Sequence, residues 1–192
     1  MTEAASVVRY REDEVPHELR DQILAIRLDA WPDLSRAESW PRHDPALSPI
    51  SVILVEGRTV LSSLDILSKE VLHGDQMYRA SGISMMVTAR PARGRGLGRK
   101  LARRARQMMA DDGADLAIFT CDADLKRFYE GAGFSELPGT ALVGGTPQQP
   151  FRSDQFDKVT VAAFFSSRSR AHLAEFLGTD VELYPGDIDK LW

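Results

Sequence analysis

Alternating glycines and arginines form the strongest chemical signal in the sequence. The stretch runs Arg93-Gly94-Arg95-Gly96-Leu97-Gly98-Arg99. A buried-strand pattern (Ile83–Thr88) precedes it, and a helical pattern (Gly96–Ala110) begins within it. Glycines let a ligand approach the backbone closely, and the free amides of a helix start attract anions. The arginines add formal charge, so the stretch predicts a pyrophosphate-binding cradle.

Three other interpretations of this stretch are weaker. A Walker A loop would need Gly-Lys-Ser/Thr, which does not follow. A Rossmann fingerprint would place its third glycine at Arg99, and antiparallel hairpins precede the stretch. A solvated basic helix after a flexible loop remains as the structural alternative.

A second pattern downstream gives the cradle a family context. It runs Phe128-Tyr129-Glu130-Gly131-Ala132-Gly133-Phe134. Together the two motifs resemble the Arg/Gln-x-x-Gly-x-Gly/Ala and Phe-Tyr-x-x-x-Gly-Phe segments of the GNAT acetyltransferase superfamily. The resemblance in strand and helix order covers about residues 5–135.

This resemblance implies an enzyme, an acyltransferase that uses acetyl-CoA as cosubstrate. Backbone groups of Met86, Val87 and Thr88 would contact the acetyl and pantetheine amides, and Arg93 to Gly98, with Arg99, would hold the pyrophosphate. Asp122 occupies the place where many relatives have asparagine beside the pantetheine arm. An aspartate cannot donate the amide hydrogen bond, so this contact departs from the family pattern.

The resemblance also implies catalytic residues. Tyr129 matches the general acid that protonates the departing thiolate. Relatives often carry a carboxylate base on the strand before the cradle, but the inward position here is Ser84. Water relayed by Ser84, or a carboxylate such as Asp65, Asp124 or an acid of the tail, is the alternative. The single cysteine, Cys121, is expected to be a structural thiol.

The acceptor is expected to be a primary amine of a small cationic molecule. The late strand and the tail are loosely similar to aminoglycoside 2′-N-acetyltransferases, in which acidic residues face a polycationic sugar. The matching positions are Thr120, Asp154, Asp187, Asp189 and Trp192. Trp192 would plug either the acceptor cleft or a homodimer interface. A protein amine as acceptor, and a catalytically weak acyl-CoA sensor or interaction module, remain alternatives.

Composition limits the class of protein. The 192 residues are 43% apolar, which is enough for one sizeable core. Eight of the 24 basic residues lie in Arg90–Arg106, which holds no acidic residue, and the other 16 stand against 28 acidic ones. One cationic patch on an acidic body favours a small polyanion over nucleic acid. One cysteine and scattered histidines predict no metal and no disulfide. The start lacks a signal-peptide pattern, so a cytoplasmic protein without membrane contact is expected.

Periodicity predicts the elements that position these residues. Strands are expected at Ser6–Tyr10, Val52–Val55, Val60–Leu67, Glu70–Leu72, Met77–Ser81, Ile83–Thr88, Leu116–Thr120 and Lys158–Phe165. Helices are expected from Pro16 to before Pro32, at Gly96–Ala110, at Asp124–Glu130 and at Ala171–Leu177, with loops at Asp33–Ser48 and Gly139–Pro150. The order predicts an α/β fold of the α+β type, a mixed, mostly antiparallel twisted sheet flanked by helices. A single domain would cover residues 1–192, with the motif core at about 50–137 and a C-terminal strand and tail at 150–192.

Overall fold

The computed structural model describes residues 4–34 and 40–192. Within them the strands are β1 (Ser6–Arg11), β2 (Ile50–Glu56), β3 (Thr59–His73), β4 (Gln76–Thr88), β5 (Leu116–Asp122), β6 (Ser135–Glu136), β7 (Ala141–Thr146), β8 (Gln149–Arg152), β9 (Lys158–Phe164) and β10 (Asp180–Glu182). The helices are α1 (His17–Ala30), α2 (Leu97–Asp111), α3 (Lys126–Glu130) and α4 (Ser167–Ala171).

Seven strands form the main sheet, in the order β1-β2-β3-β4-β5-β9-β6. All neighbours are antiparallel except β4 and β5, which α2 connects as a parallel pair. The mixed, mostly antiparallel sheet predicted from the sequence is therefore confirmed.

Helices α1 and α2 cover opposite faces of this sheet. Strand side chains alternate between faces, so Ile53 and Val55 pack with Ile23 of α1, whereas Val52 and Leu54 join the core beneath α2. Both helices have the apolar stripe that such packing requires. Leu19, Ile23 and Ile26 of α1 lie in the smaller core cluster.

The hairpin of β3 and β4 is longer than predicted. The pieces expected at Val60–Leu67 and Glu70–Leu72 merge into β3, and those at Met77–Ser81 and Ile83–Thr88 merge into β4. Polar residues such as Ser68 and Ser81 interrupt the apolar alternation, but their hydroxyls bond to each other across the pair, at 2.7 Å.

The prediction of a loop at Gly139–Pro150 is wrong. Its residues form β7 and β8, which join β10 in a second, three-stranded sheet. The glycines serve close packing here: a Cβ on Gly144 would lie 1.6 Å from the carbonyl oxygen of Lys190. Glycine in this strand therefore lets a second backbone segment lie against it.

Two further predictions need adjustment. The helix expected at Ala171–Leu177 is instead α4 followed by a 3₁₀ turn at Leu173–Phe176. The loop expected at 33–48 includes residues 35–39, which lie outside the described residues, and its end carries a 3₁₀ turn at Pro45–Leu47. No helix in the described part is long and apolar enough to cross a membrane.

Candidate functional site

A gap opens in the main sheet between β4 and β5. The two strands pair only at Ala80 with Leu116 and at Ser81 with Ala117. From Gly82 and Ile118 onward, the facing edges have no strand partner, and this opening is called the β4–β5 gap below. Backbone groups along that edge of β4 are available to a ligand in extended conformation.

A bulge in β4 lies beside the gap. Between the pairs Ser63–Val87 and Asp65–Ser84, β3 has one residue and β4 has two, Met85 and Met86. Met85 within the bulge has φ of 50°, in the left-handed region that non-glycine residues avoid. Such backbone strain costs about 1–3 kcal/mol and concentrates at functional sites.

The cradle lies where β4 ends and α2 begins. Gly96 is the N-cap of α2 with φ of 72°, and the first intrahelical bond runs from the amide of Lys100 to its carbonyl. The amides of Leu97, Gly98 and Arg99 therefore have no acceptor within the helix. They border a cavity of about 430 Å³ that Thr88 and Phe128 also line.

Two different steric requirements explain the three glycines of the cradle. Gly94 and Gly96 have positive φ, and a Cβ on either would meet nothing within 4 Å. Gly98 faces inward, where a Cβ would lie 2.8 Å from Thr88 Oγ1 and 3.0 Å from the Met86 methyl. The first two thus leave open space for a ligand, and the third lets α2 pack closely on β4.

The cradle arginines differ in how they are held. Arg93 donates from Nε to the Thr88 carbonyl at 2.9 Å and also approaches Asp29. Arg99 lies against Gly131 of the second motif, since a Cβ there would be 2.9 Å from its Nε. Arg95 is exposed. The two sequence motifs are therefore in contact, as binding of one ligand by both requires.

Tyr129 is buried next to the cradle. Its ring contacts Phe119 of β5, Phe128 and Phe134, with centroids 4.9–6.2 Å away. Burial raises its pKa, and the nearby Cys121 and Asp122 raise it further, so the phenol is neutral at physiological pH. A protonated hydroxyl can donate a proton to a neighbouring group that becomes anionic.

Cys121 and Asp122 end β5 beside this phenol. Burial raises the pKa of the Cys121 thiol to about 11, so the thiolate needed for nucleophilic catalysis is scarce at neutral pH. Asp122 is exposed and forms an ion pair with Lys158 of β9, its cross-strand neighbour. Its carboxylate is thus already engaged at the place where the sequence suggests a pantetheine contact.

Ser84 and Asp65 lie opposite each other on β4 and β3. Asp65 is fully buried; Ser51 donates to one of its oxygens at 2.8 Å, while Arg27 and His43 bond to the other at 2.5 and 3.0 Å. Burial alone would raise the pKa of Asp65, but these partners hold it at about 2. A carboxyl group with this pKa is a poor general base at neutral pH.

His43 joins Asp65 to the end of the chain. Its Nε2 faces Asp65, and its Nδ1 lies 2.6 Å from Asp189. Burial alone would lower the pKa of His43, but the hydrogen bonds to Asp189 and Asp65 outweigh it and raise the value to about 9. The imidazolium is therefore held between two carboxylates. No local pattern in the sequence indicates this buried cluster, because its members come from distant segments and only the fold brings them together.

The same cluster offers the spacing of a metal site. Atoms of Glu12, His43 and Asp65 lie within 4.8 Å of one another. However, the amides of Arg42 and His43 donate to the Glu12 carboxylate, and Arg27 donates to Asp65. The arrangement is that of an ion-pair network, in which Nε and Nη1 of Arg27 are buried without a hydrogen-bond partner among the described residues.

Comparison with known proteins decides the family. The model of the acetyltransferase (GNAT) domain family matches residues 12–137, about two thirds of the chain, including both motifs. The chain belongs to the GNAT acetyltransferase family. It is thus an acyltransferase of a family that generally uses acetyl-CoA or another acyl-CoA. No curated protein sequence matches it.

Known structures agree in fold with this GNAT chain. A GCN5-related N-acetyltransferase from Kribbella flavida superimposes with a TM-score of 0.58 and 22% identity over 71% of this chain and 34% of that one. An acyl-CoA N-acyltransferase from Pseudomonas aeruginosa superimposes with a TM-score of 0.58 and 17% identity, over 83% of this chain and 99% of that one. ElaA from Escherichia coli superimposes with a TM-score of 0.57 and 13% identity, also over 83% of this chain and 99% of that one. This chain thus spans about a third of the first relative and nearly all of the other two.

The residues suggested for the acceptor are scattered in this GNAT fold. Thr120 lies on β5, two residues beyond Ile118 at the β4–β5 gap. Asp154 is exposed and paired with Arg152, which also binds Asp180. Trp192 is 3% exposed and is buried inside its own chain.

Proposed function

We propose that this GNAT chain transfers the acetyl group of acetyl-CoA to the primary amine of a small cationic molecule. The observation that carries the proposal is the cradle itself. Free amides of α2 and open glycine positions border a cavity beside the unpaired edge of β4. Such a site suits a diphosphate joined to an extended, amide-bearing arm.

The proposed binding residues follow the element order. The amides of Leu97, Gly98 and Arg99, with the guanidinium groups of Arg95 and Arg99, would hold the pyrophosphate. Arg93, fixed to the Thr88 carbonyl, would hold the end of β4 against the cradle. Backbone groups of Met86, Val87 and Thr88 would pair with the pantetheine amides. When bound, the coenzyme supplies the activated acyl group.

Tyr129 would act on the leaving sulfur. The amine nitrogen forms a bond to the acyl carbon while the carbon–sulfur bond breaks, and Tyr129 donates its hydrogen bond, and then its proton, to the sulfur. Its raised pKa keeps the phenol protonated until charge develops. General acid catalysis of this kind contributes about 10²–10⁴ in rate.

The amine would lose its proton to solvent. Asp65, the carboxylate nearest to Ser84 across the strands, is already bonded to Arg27, His43 and Ser51. We therefore assign Ser84 a positioning role: its hydroxyl would orient the amine or a water that carries the proton away. The rate should then follow ionisation of the amine.

The proposed acceptor cavity adjoins the bulge. It measures about 540 Å³ and is lined by Met85 and by the end of α1 with the residues after it, including Trp31 and Asp33. An exposed indole and one carboxylate suit a cation with an apolar part. Asp154 and Asp189 are paired with Arg152 and His43, so a polycationic sugar would lack the acidic surface it needs.

A second candidate is an acyl-CoA sensor with weak catalysis, favoured by the engagement of Asp65. Turnover separates the two. Purified protein, acetyl-CoA and a panel of aliphatic and aromatic amines, assayed for free thiol, should release CoA only with an accepted amine. Cys121 is buried and will add little background. Binding of acetyl-CoA without release for any amine would favour the sensor.

A further inference from the structure

The narrow end of the β4–β5 gap is filled by Trp192. Its indole Nε1 donates to the Ile118 carbonyl at 2.9 Å. A Cβ on Gly82 would lie 2.5 Å from that Nε1 and 3.0 Å from the Ile118 oxygen. Gly82 and Ile118 are the first residues beyond the last strand pair. The indole therefore donates a hydrogen bond to the Ile118 carbonyl, where β4 and β5 no longer pair, and it closes the β4–β5 gap at that end.

The segment that carries Trp192 is fixed along its length. We call residues 185–192 the strap. Asp189 accepts from the amide of Asp44 at 3.1 Å and contacts His43 at 2.6 Å. The Lys190 carbonyl accepts from the amide of Gly145 at 2.9 Å. These contacts leave little freedom for the indole.

Two glycines on different sheets admit the strap. Gly144 leaves room for the Lys190 carbonyl, and Gly82 leaves room for the indole. Any larger residue at either position would collide with the strap. The seat of Trp192 is thus built by the surrounding chain, and the indole is a fixed wall of the gap.

A fixed wall limits what can enter from the other end. The cradle lies near Thr88, six residues along β4 from Gly82, about 20 Å at ~3.3 Å per residue. If the coenzyme enters as proposed above, its arm runs from the cradle into the gap, and a lengthened acyl chain grows toward Trp192. We propose that Trp192 sets the longest acyl group that the enzyme accepts. This inference rests on the proposed function.

Binding of CoA thioesters tests it without knowledge of the acceptor. Calorimetric Kd values for CoA, acetyl-CoA, butyryl-CoA and hexanoyl-CoA would be compared in the wild type, Trp192→Ala and Trp192→Phe. A matched control is Leu72→Ala, at an exposed position near the tip of the β3–β4 hairpin. CoA itself, which has no acyl group, reports on the cradle alone.

The wild type and the control should bind acetyl-CoA more tightly than the longer thioesters. Trp192→Ala should reverse this order, since each added CH₂ that becomes buried is worth about fourfold in affinity, or about tenfold and more for butyryl. Trp192→Phe, which keeps a ring in the gap, should retain the wild-type order. Affinity for CoA should be equal in all.

Two outcomes overturn the inference separately from the proposed function. Either the wild type binds hexanoyl-CoA as tightly as acetyl-CoA, or Trp192→Ala binds CoA normally with an unchanged preference. Failure of the wild type to bind CoA would overturn both. If Trp192→Ala does not fold, Trp192→Leu keeps apolar bulk in the core and should show the same change in preference, and an unchanged preference there overturns the inference too.

Discussion

At the scale of single residues, the proposed mechanism depends most on the buried hydroxyl of Tyr129. The prediction concerns its hydroxyl alone. Tyr129→Phe should lower kcat about 10²–10⁴-fold and leave the Kd for acetyl-CoA within about twofold, since the hydroxyl acts only as the sulfur leaves. Steady-state kinetics and calorimetry give the two values.

Tyr78→Phe is the matched control for this substitution. Tyr78 is also fully buried, and its hydroxyl has no hydrogen-bond partner within residues 4–34 and 40–192. It lies far along β4 from the cradle, so its loss should leave kcat unchanged. Equal kcat for Tyr129→Phe and the wild type would remove Tyr129 from the mechanism.

His43 makes stability depend on pH. Its folded pKa of about 9 exceeds the ordinary 6.5, so its contribution is complete below about pH 6.5 and is lost as pH rises through 9. At ~1.4 kcal/mol per pKa unit this amounts to about 3 kcal/mol. Urea unfolding from pH 6 to pH 10 should show this loss.

His43→Asn supplies the reference for that measurement. It removes the imidazolium from Asp189 and leaves Asp65 with the guanidinium of Arg27, so it should be less stable at pH 6 by about 3–5 kcal/mol. The difference in free energy of unfolding between His43→Asn and the wild type should decrease as pH rises through 9. A constant difference across the range would show that His43 is uncharged in the fold.

At the scale of elements, the sequence predicts most where the signals are local. Helical period and glycine spacing place α2 and its cradle, and alternation places β2, β5 and β9 within two residues. The sequence-based prediction fails at β7 and β8, because Gly144 and Gly145 are residues typical of loops. Their role depends on Lys190, more than forty residues away, and no local pattern carries that contact.

Gly144 offers a test of the strap as an element. Gly144→Ala should destabilise the fold by at least the 1–3 kcal/mol typical of overpacking, because its Cβ would meet the Lys190 backbone at 1.6 Å. Gly131→Ala is the control: its Cβ would meet the Arg99 side chain, which can move aside. Thermal unfolding compares the two, and equal melting temperatures would contradict the proposed seat of the strap.

At the scale of the whole molecule, the charge asymmetry is visible in the sequence, but the buried pairs are not. Composition gives a net charge of −4 with one basic stretch. It cannot show that Asp65 and Asp189 are neutralised by Arg27 and His43, since these partners lie 22 to 146 residues away. The general base and the acceptor surface were therefore beyond sequence analysis.

The basic stretch should bind a compact polyanion. CoA at 100 times its Kd should stabilise the protein by about 2.7 kcal/mol, a rise of about 5–10 °C in Tm for a chain of this size. The rise should shrink at high salt, since the cradle arginines are exposed. A similar rise with single- or double-stranded DNA that free CoA cannot displace would favour nucleic-acid binding.

The central claim is that the glycine-spaced start of α2 holds the diphosphate of CoA. Gly96 and Gly178 form a matched pair for testing it: both have positive φ, 72° and 64°, and a Cβ on either meets nothing within 4 Å. Valine at either position therefore costs similar backbone strain, but only at Gly96 does it enter the cradle. Calorimetric titration with CoA should show at least a hundredfold loss of affinity for Gly96→Val and wild-type affinity for Gly178→Val. Equal CoA affinity in the two variants would contradict the account.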